Sequence, residues 1–317
     1  DRPFTTIVAG NKSANDDIKA IFDEAGKDVV ITANVMPQFN KLNIEPARDA
    51  IRQLFISRII EAKGLNILQS MTSYKIIPTP LAVLHACELL SKGTKTQQGR
   101  GDLLAVDIGG ATTDVYSMAS GEPTVDNTML KGLPEPWMKR TVEGDLGMRY
   151  SLTHVYEQIP GSDNPENEYM QQVKAWVELC TARPDTLAAP GSEEEKLEEF
   201  LGRSAVSMAV ERHCGRIADV YTPLGLMRTQ EGKYLMNVPS VIGIGGVLRN
   251  SRRPEEILKG SLYDFMHPEC TKPRKPKFYL DQKYIFASMG LLRSINPELA
   301  FELLDKETVE IGCNATV

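Results

Sequence analysis

"LLAVDIGGATTDVYSMASG" occupies residues 103–121, and its reading decides the fold. An apolar run reaches Asp107, breaks at Gly109 and Gly110, and passes Ala111, Thr112 and Thr113. It then meets Asp114 and turns apolar and β-branched again. The pattern predicts a hairpin with a carboxylate on each side of its bend. Two glycines allow backbone conformations closed to other residues, so successive N–H groups can converge on an anion. Thr112 and Thr113 add hydroxyl donors. An anion in that bend would repel Asp107 and Asp114 unless a cation came between them. A phosphate with Mg²⁺ satisfies both: the bend holds phosphate, while Asp107 and Asp114 hold the metal and orient water. An ordinary hairpin, with Asp and Thr as turn formers, explains the same residues.

Working outward, "VIGIGGVL" (241–248) places Gly243, Gly245 and Gly246 between a predicted strand and a predicted helix. Bare backbone there can lie against a base or ribose and approach phosphate closely. A tightly packed strand–helix turn is the alternative. Two quieter stretches accompany these corners. "IPTPLAVLHACELL" (77–90) carries Ala82 and Ala86 on one helix, and "FASMGLL" (286–292) carries Ala287 and Gly290. Small residues at that spacing let two helices cross closely, although plain helix packing also uses them. The two glycine corners are expected to face each other across one cleft.

The rest of the chain reads as α/β. "TTIVAG" (5–10), "NDDIKAIFDEAG" (15–26) and "DVVITANVM" (28–36) form a strand–helix–strand run that implies a parallel crossover. A helix is predicted over 45–64, with Pro46 in its first turn and Gly64 as its stop. "YKII" (74–77) reads as a short strand. A helix start is expected near Glu143, in "EGDLGMRYSLTHVYEQI". Residues 160–192 look like an elaborated insertion around one helix. Residues 192–215 read as a long helix, with Ser192 and Glu195 at capping-box spacing. "IADVYTPLG" and "KYLMNV" read as strands, and 281–295 as a helix with Asp281 at its N-cap.

Composition excludes several classes. A net charge of −6 argues against a nucleic-acid surface, and the densest basic stretch, "TKPRKPKF" (271–278), reads as a solvated connector. The five cysteines, Cys87, Cys180, Cys214, Cys270 and Cys313, are scattered, odd in number and form no C-x-x-C, which fits free thiols in a reducing compartment. His213 and Cys214 lack a second ligand pair at zinc spacing and read as structural. No apolar run approaches the ~18 residues of a membrane helix, so no membrane partner and a cytoplasmic location are expected.

Taken in order, "PTPLAVLHA", "DIGGATTD", "IGIGGVL" and "ASMGLL" resemble the actin, sugar-kinase and heat-shock-chaperone ATPase superfamily. They resemble its first connecting helix, second phosphate loop, adenosine loop and second connecting helix. "AGNK", "NVMPQFNKLNIEPARDAI", "AVDIGGATTDVYS", "RTVEGDLGMRYS" and "VIGIGGVLRNS" narrow the resemblance to the MutL/GlmL family over nearly the whole chain. The resemblance implies an actin-like (ribonuclease H-like) α/β fold. Residues 1–98 would be the remainder of a first lobe with a connecting helix, and 99–317 a second lobe with an insertion at about 158–192.

The same resemblance implies function. It suggests an ATP-binding, Mg²⁺-dependent chaperone that reactivates an adenosylcobalamin-dependent mutase, of glutamate mutase type, by promoting release of damaged cobalamin. Asp107 would orient metal or attacking water, and Asp114 would sit in the metal's outer shell. Gly109, Gly110, Ala111, Thr112 and Thr113 would hold phosphates. Glu143, Gly144 and Asp145 would lie at a helix start near the nucleotide, and Gly243, Gly245 and Gly246 would line the adenosine. The superfamily's N-terminal Asp-x-Gly-Ser/Thr phosphate loop is not found, which implies an incomplete first lobe and leaves hydrolysis by this chain alone in question. The hydantoinase and oxoprolinase subunits also carry loops of this type, so an enzyme acting on a cyclic amide stays open. So does a scaffold that works without nucleotide.

Overall fold

The structure is a computed structural model and describes residues 4–39, 41–62, 71, 76–124, 127–133, 135–223 and 225–312. The chain forms two compact units, residues 1–78 and 79–317. In the first, strand β1 (Thr6–Val8) pairs in parallel with β2 (Val29–Ile31). Helix α1 (Asn15–Glu24) makes the crossover, as the apolar–amphipathic–apolar pattern predicts, and α2 (Glu45–Ala62) follows. The strand predicted at 74–77 falls partly outside the described residues, and its described part, 76–77, is not strand.

The second unit is built on a six-stranded mixed sheet. Its strands in chain order are β3 (Leu103–Ile108), β4 (Thr113–Met118), β6 (Met138–Glu143), β9 (Ser240–Ile244), β10 (Lys277–Asp281) and β11 (Thr308–Ile311), and they lie side by side as β11-β10-β9-β3-β4-β6. β3, β9 and β10 are parallel neighbours, while β3-β4-β6 is an antiparallel meander. A smaller sheet orders β5 (Thr128–Lys131), β8 (Gly225–Glu231) and β7 (Arg216–Thr222) as β5-β8-β7.

The alternation of β3 sorts two cores. Leu104, Val106 and Ile108 face one apolar cluster, built with α4 (Leu152–Glu157), α5 (Glu168–Ala182), α6 (Glu193–His213) and α8 (Pro254–Leu258). Leu103 and Ala105 face the other, built with α3 (Thr79–Lys92), α9 (Phe286–Leu292) and α10 (Pro297–Glu307). A sheet buried on both faces explains why these strands read as continuous apolar runs. The predicted small-residue crossing is present: a Cβ on Gly290 would sit 1.8 Å from the carbonyl oxygen of Ala82. Arg293 continues the seam, donating to the His85 carbonyl at 3.1 Å and to Glu88 at 2.6 Å.

Several predicted elements are corrected. No helix starts near Glu143; β6 ends there, and the helix begins at Leu152. After β6 the chain runs as turns pressed against the bend, where a Cβ on Gly147 would sit 2.3 Å from the Ala111 carbonyl carbon. The basic stretch 271–278 is not a solvated connector throughout. Thr271 and Lys272 are buried, and Lys277–Asp281 is an interior strand. Asp281 therefore ends a strand, and it reaches forward to cap α9 by accepting from the N–H groups of Ile285 and Phe286 at 3.0 and 3.1 Å. "KYLMNV" forms no strand. The long helix is confirmed as Glu193–His213, with Ser192 accepting from Glu195 N–H. Among the described residues no disulfide joins the four cysteines, which are all buried, and no helix is long and apolar enough to cross a membrane. Cys313 lies outside the described residues.

Candidate functional site

The site grows from the register of three strands. Asp107 and Asp114 are direct cross-strand partners in the β3–β4 hairpin, so both carboxylates emerge on one face as immediate neighbours. Like charges placed so are unfavourable, and the structure relieves only one of them. Arg140 on β6 donates to Asp114 through Nε at 2.8 Å and forms a 2.6 Å ion pair with it. Asp107 receives no hydrogen bond from the described residues. Burial, then the charges of Asp114 and Asp281, push its carboxyl up to about 6, and Arg140 pulls it only part of the way back.

The bend between the two strands is tight. Gly109 N–H donates to the Thr112 carbonyl at 2.9 Å. The carbonyls of Gly109 and Gly110 accept from Met148, Arg149 and Tyr150 N–H groups at 2.8–3.0 Å, which ties the bend to the segment after β6. Thr113 is fully buried and donates to the Leu146 carbonyl, so its hydroxyl serves the fold. Thr112 keeps its hydroxyl beside Asp114 at 3.4 Å. Ser151 Oγ lies 2.9 Å from the carbonyl oxygens of both Ala111 and Gly144, within reach of its one hydroxyl proton, which keeps Gly144 next to the bend. Glu143 and Asp145 point elsewhere: both accept from Arg212, at 2.6 Å for Glu143 and 2.9 and 3.0 Å for Asp145. That guanidinium holds the Asp145 carboxyl down to about 2.

The second glycine corner adjoins the first because β9 lies beside β3, with Ile244 in register with Asp107. Gly245 has φ +102°, and a Cβ there would meet the Ile108 carbonyl oxygen at 2.5 Å and Asp107 Oδ1 at 2.8 Å. Only a glycine lets the two corners touch. Gly246 then opens the short helix α7 (Gly246–Asn250). Gly243 does not reach this corner's open side. It sits inside β9, where a Cβ would press on Leu248 and Leu258.

A cavity of about 840 Å³ opens over the joined corners. Ile108, Gly109 and Gly110 form one end, and Gly246, Val247, Asn250, Ser251 and Arg252 another. The opposite wall comes from residues 187–190 and from Glu195, Glu198 and Glu199 of α6, with Arg149 and Tyr284 on the rim. Arg149 pairs with Glu198 at 2.6 Å, and Arg253 pairs with Glu199. These wall residues were not singled out as site residues from the sequence. They are brought together from five separate segments, and no local motif marks them.

Asp107 is a desolvated carboxylate with no donor among the described residues, the kind of group a cation would partner. No group of three or more His, Cys, Asp or Glu poised for metal binding exists among the described residues. Any Mg²⁺ here would therefore depend on ligand and water oxygens for most of its coordination.

Fold and site together define an α/β protein with a glycine-cornered cavity at the carboxyl ends of parallel strands. The chain belongs to the MutL protein family, whose profile matches residues 1–308. It is 45% identical over 308 residues to Protein MutL of Clostridium tetanomorphum. That match covers 96% of this chain and 66% of that protein, so the chain spans just under two thirds of its relative's length.

Proposed function

We propose that this chain is the nucleotide-holding part of an accessory chaperone that reactivates an adenosylcobalamin-dependent mutase of glutamate mutase type, using ATP and Mg²⁺. One observation carries the nucleotide reading. The bend 107–114 and the glycine corner 243–246 are in contact at Gly245, and the cavity they open is floored by Gly109, Gly110 and Gly246. A phosphate chain would lie over Gly109 and Gly110, taking the N–H of Gly110 because that of Gly109 is held by the Thr112 carbonyl, and Mg²⁺ would be held between it and Asp107. The metal would neutralise phosphate charge, and Asp107 would orient it or a water. A nucleoside would extend towards Gly246 and Asn250. The sheet order supports one actin-like lobe, since an antiparallel meander is continued by two parallel strands with the phosphate bend at its first hairpin. Membership of the MutL family supports the mutase client.

Isothermal titration of Mg-ATP tests this reading. The chain binds, Asp107→Ala weakens binding about tenfold or more by removing a charge-assisted metal contact, and Gly245→Val abolishes it by separating the corners. Unchanged binding in both variants would sink the proposal. Mixing with a purified glutamate mutase carrying cyanocobalamin tests the client, because release of the corrin should require ATP.

A further inference from the structure

Tyr284 stands where the backbone does not want a tyrosine. Between the cap residue Asp281 and the start of α9 the chain makes one tight bend, with Tyr284 N–H donating to the Asp281 carbonyl at 3.3 Å. The bend forces Tyr284 to φ +57°. Among the described residues only Asn127 is another non-glycine residue at positive φ, and asparagine tolerates that region where an aromatic residue does not. The fold gains little in return. Tyr284 is 55% exposed, and no aromatic or cationic ring partner and no hydrogen bond to its hydroxyl exist among the described residues. A strained residue that the fold does not use points to a ligand.

Its position says which ligand group. Tyr284 lines the cavity that holds Gly109, Gly110 and Gly246. Burial, then the charges of Asp107 and Asp281, push its hydroxyl further up, so it stands in the cavity lining as a protonated hydrogen-bond donor. Neither aspartate receives that donor. We propose that Tyr284 is a ligand-contacting residue whose hydroxyl donates to an anionic phosphate oxygen of the nucleotide held on the Gly109–Gly110 bend. This assignment rests on the nucleotide reading above.

Two variants separate the contact from the fold. Tyr284→Phe keeps ring and turn but loses the donor; its Kd for Mg-ATP should rise about tenfold with Tm unchanged. Tyr284→Asn suits the left-handed turn; its Tm should equal or exceed that of the unaltered chain while its Kd rises at least as far. If the unaltered chain binds Mg-ATP and Tyr284→Phe binds it equally well, the assignment falls and the nucleotide reading survives. If the unaltered chain does not bind, both fall. A lowered Tm in Tyr284→Asn would also overturn the assignment, by showing that the ring supports the fold.

Discussion

The two ends of strand β4 carry opposite charges in opposite circumstances. At one end, Asp114 and its partner Asp107 flank the Gly109–Gly110 bend, with Asp107 against Gly245, and Asp107 has no donor among the described residues. At the other, Lys233 is fully buried, yet its ammonium donates to the carbonyls of Trp137, Pro136 and Ser117 at 2.6, 3.0 and 3.2 Å. Next to it, buried His213 bridges Thr141 and Ser117 through its two ring nitrogens at 2.8 Å each. Both ends pay desolvation: burial, then the charge of Lys139, push the Lys233 ammonium down to about 7, but its hydrogen bonds are supplied by the protein itself, whereas those of Asp107 are not. A buried charge with a complete set of partners is part of the scaffold. A buried charge left short of partners is waiting for something from outside.

Removing the charge at each end should therefore move stability in opposite directions. The largest effect falls on the scaffold end. Lys233→Met removes the donor shared by three inward carbonyls, of which that of Trp137 keeps Ala119 N–H at 3.1 Å, and should cost about 3–5 kcal/mol in chemical denaturation. Gly121 shows how closely the lysine is held: at φ +70°, a Cβ there would lie 2.1 Å from Lys233 Cγ. A loss below about 1 kcal/mol would show that the carbonyls find other donors, and that the contrast between the two ends is not one of satisfaction.

This contrast also explains what the sequence could and could not tell. Gly109, Gly110, Gly245 and Gly290 were legible because glycine beside apolar runs marks a bend or a close approach, and the structure uses Gly245 and Gly290 for close approach. The parallel crossover of β1 and β2 and the helix at 193–213 were legible from periodicity and caps. Lys233 was not, because a lysine in "EGKYLMNV" looks like a solvated strand edge, and its partners Ser117, Pro136 and Trp137 are about a hundred residues away. Gly243 looked like a third member of the corner, but strand alternation turns it towards Leu248 and Leu258. Strand β10 was hidden by the prolines and cations that precede it. Tyr284 was hidden because backbone dihedrals are not written in residue type, except where glycine or asparagine supplies them.

At the cavity end the sign reverses. Asp107→Asn removes a carboxylate that faces Asp114 and Asp281, so it should raise the unfolding free energy at pH 7.5 by about 1–2 kcal/mol, discounted for the partial exposure of the group. The same change should weaken Mg-ATP binding. A destabilised Asp107→Asn would mean that the carboxylate is already satisfied in the free chain, and the comparison between the two ends would lose its meaning.

The smallest effect, and the sharpest, is the pH dependence of that gain. The Asp107 carboxyl sits near 6 in the folded chain against 3.8 for an unperturbed aspartate. Between those values the folded state binds more protons than the unfolded one, so Asp107 makes the fold more stable as pH falls through that window. The advantage of Asp107→Asn over the unaltered chain should therefore be near zero at pH 4, grow as pH rises towards 6, and stay flat above. His213 works the other way. Burial, then Lys139 and Lys233, hold its pKa well below 6.5, so the unfolded chain takes up protons first and stability is lost as pH drops below about 6.5. Comparing Asp107→Asn with the unaltered chain at each pH cancels the histidine contribution, because both proteins carry it. A stability gain that does not change between pH 4 and pH 7 would show that Asp107 is not the strained charge at this end of the sheet.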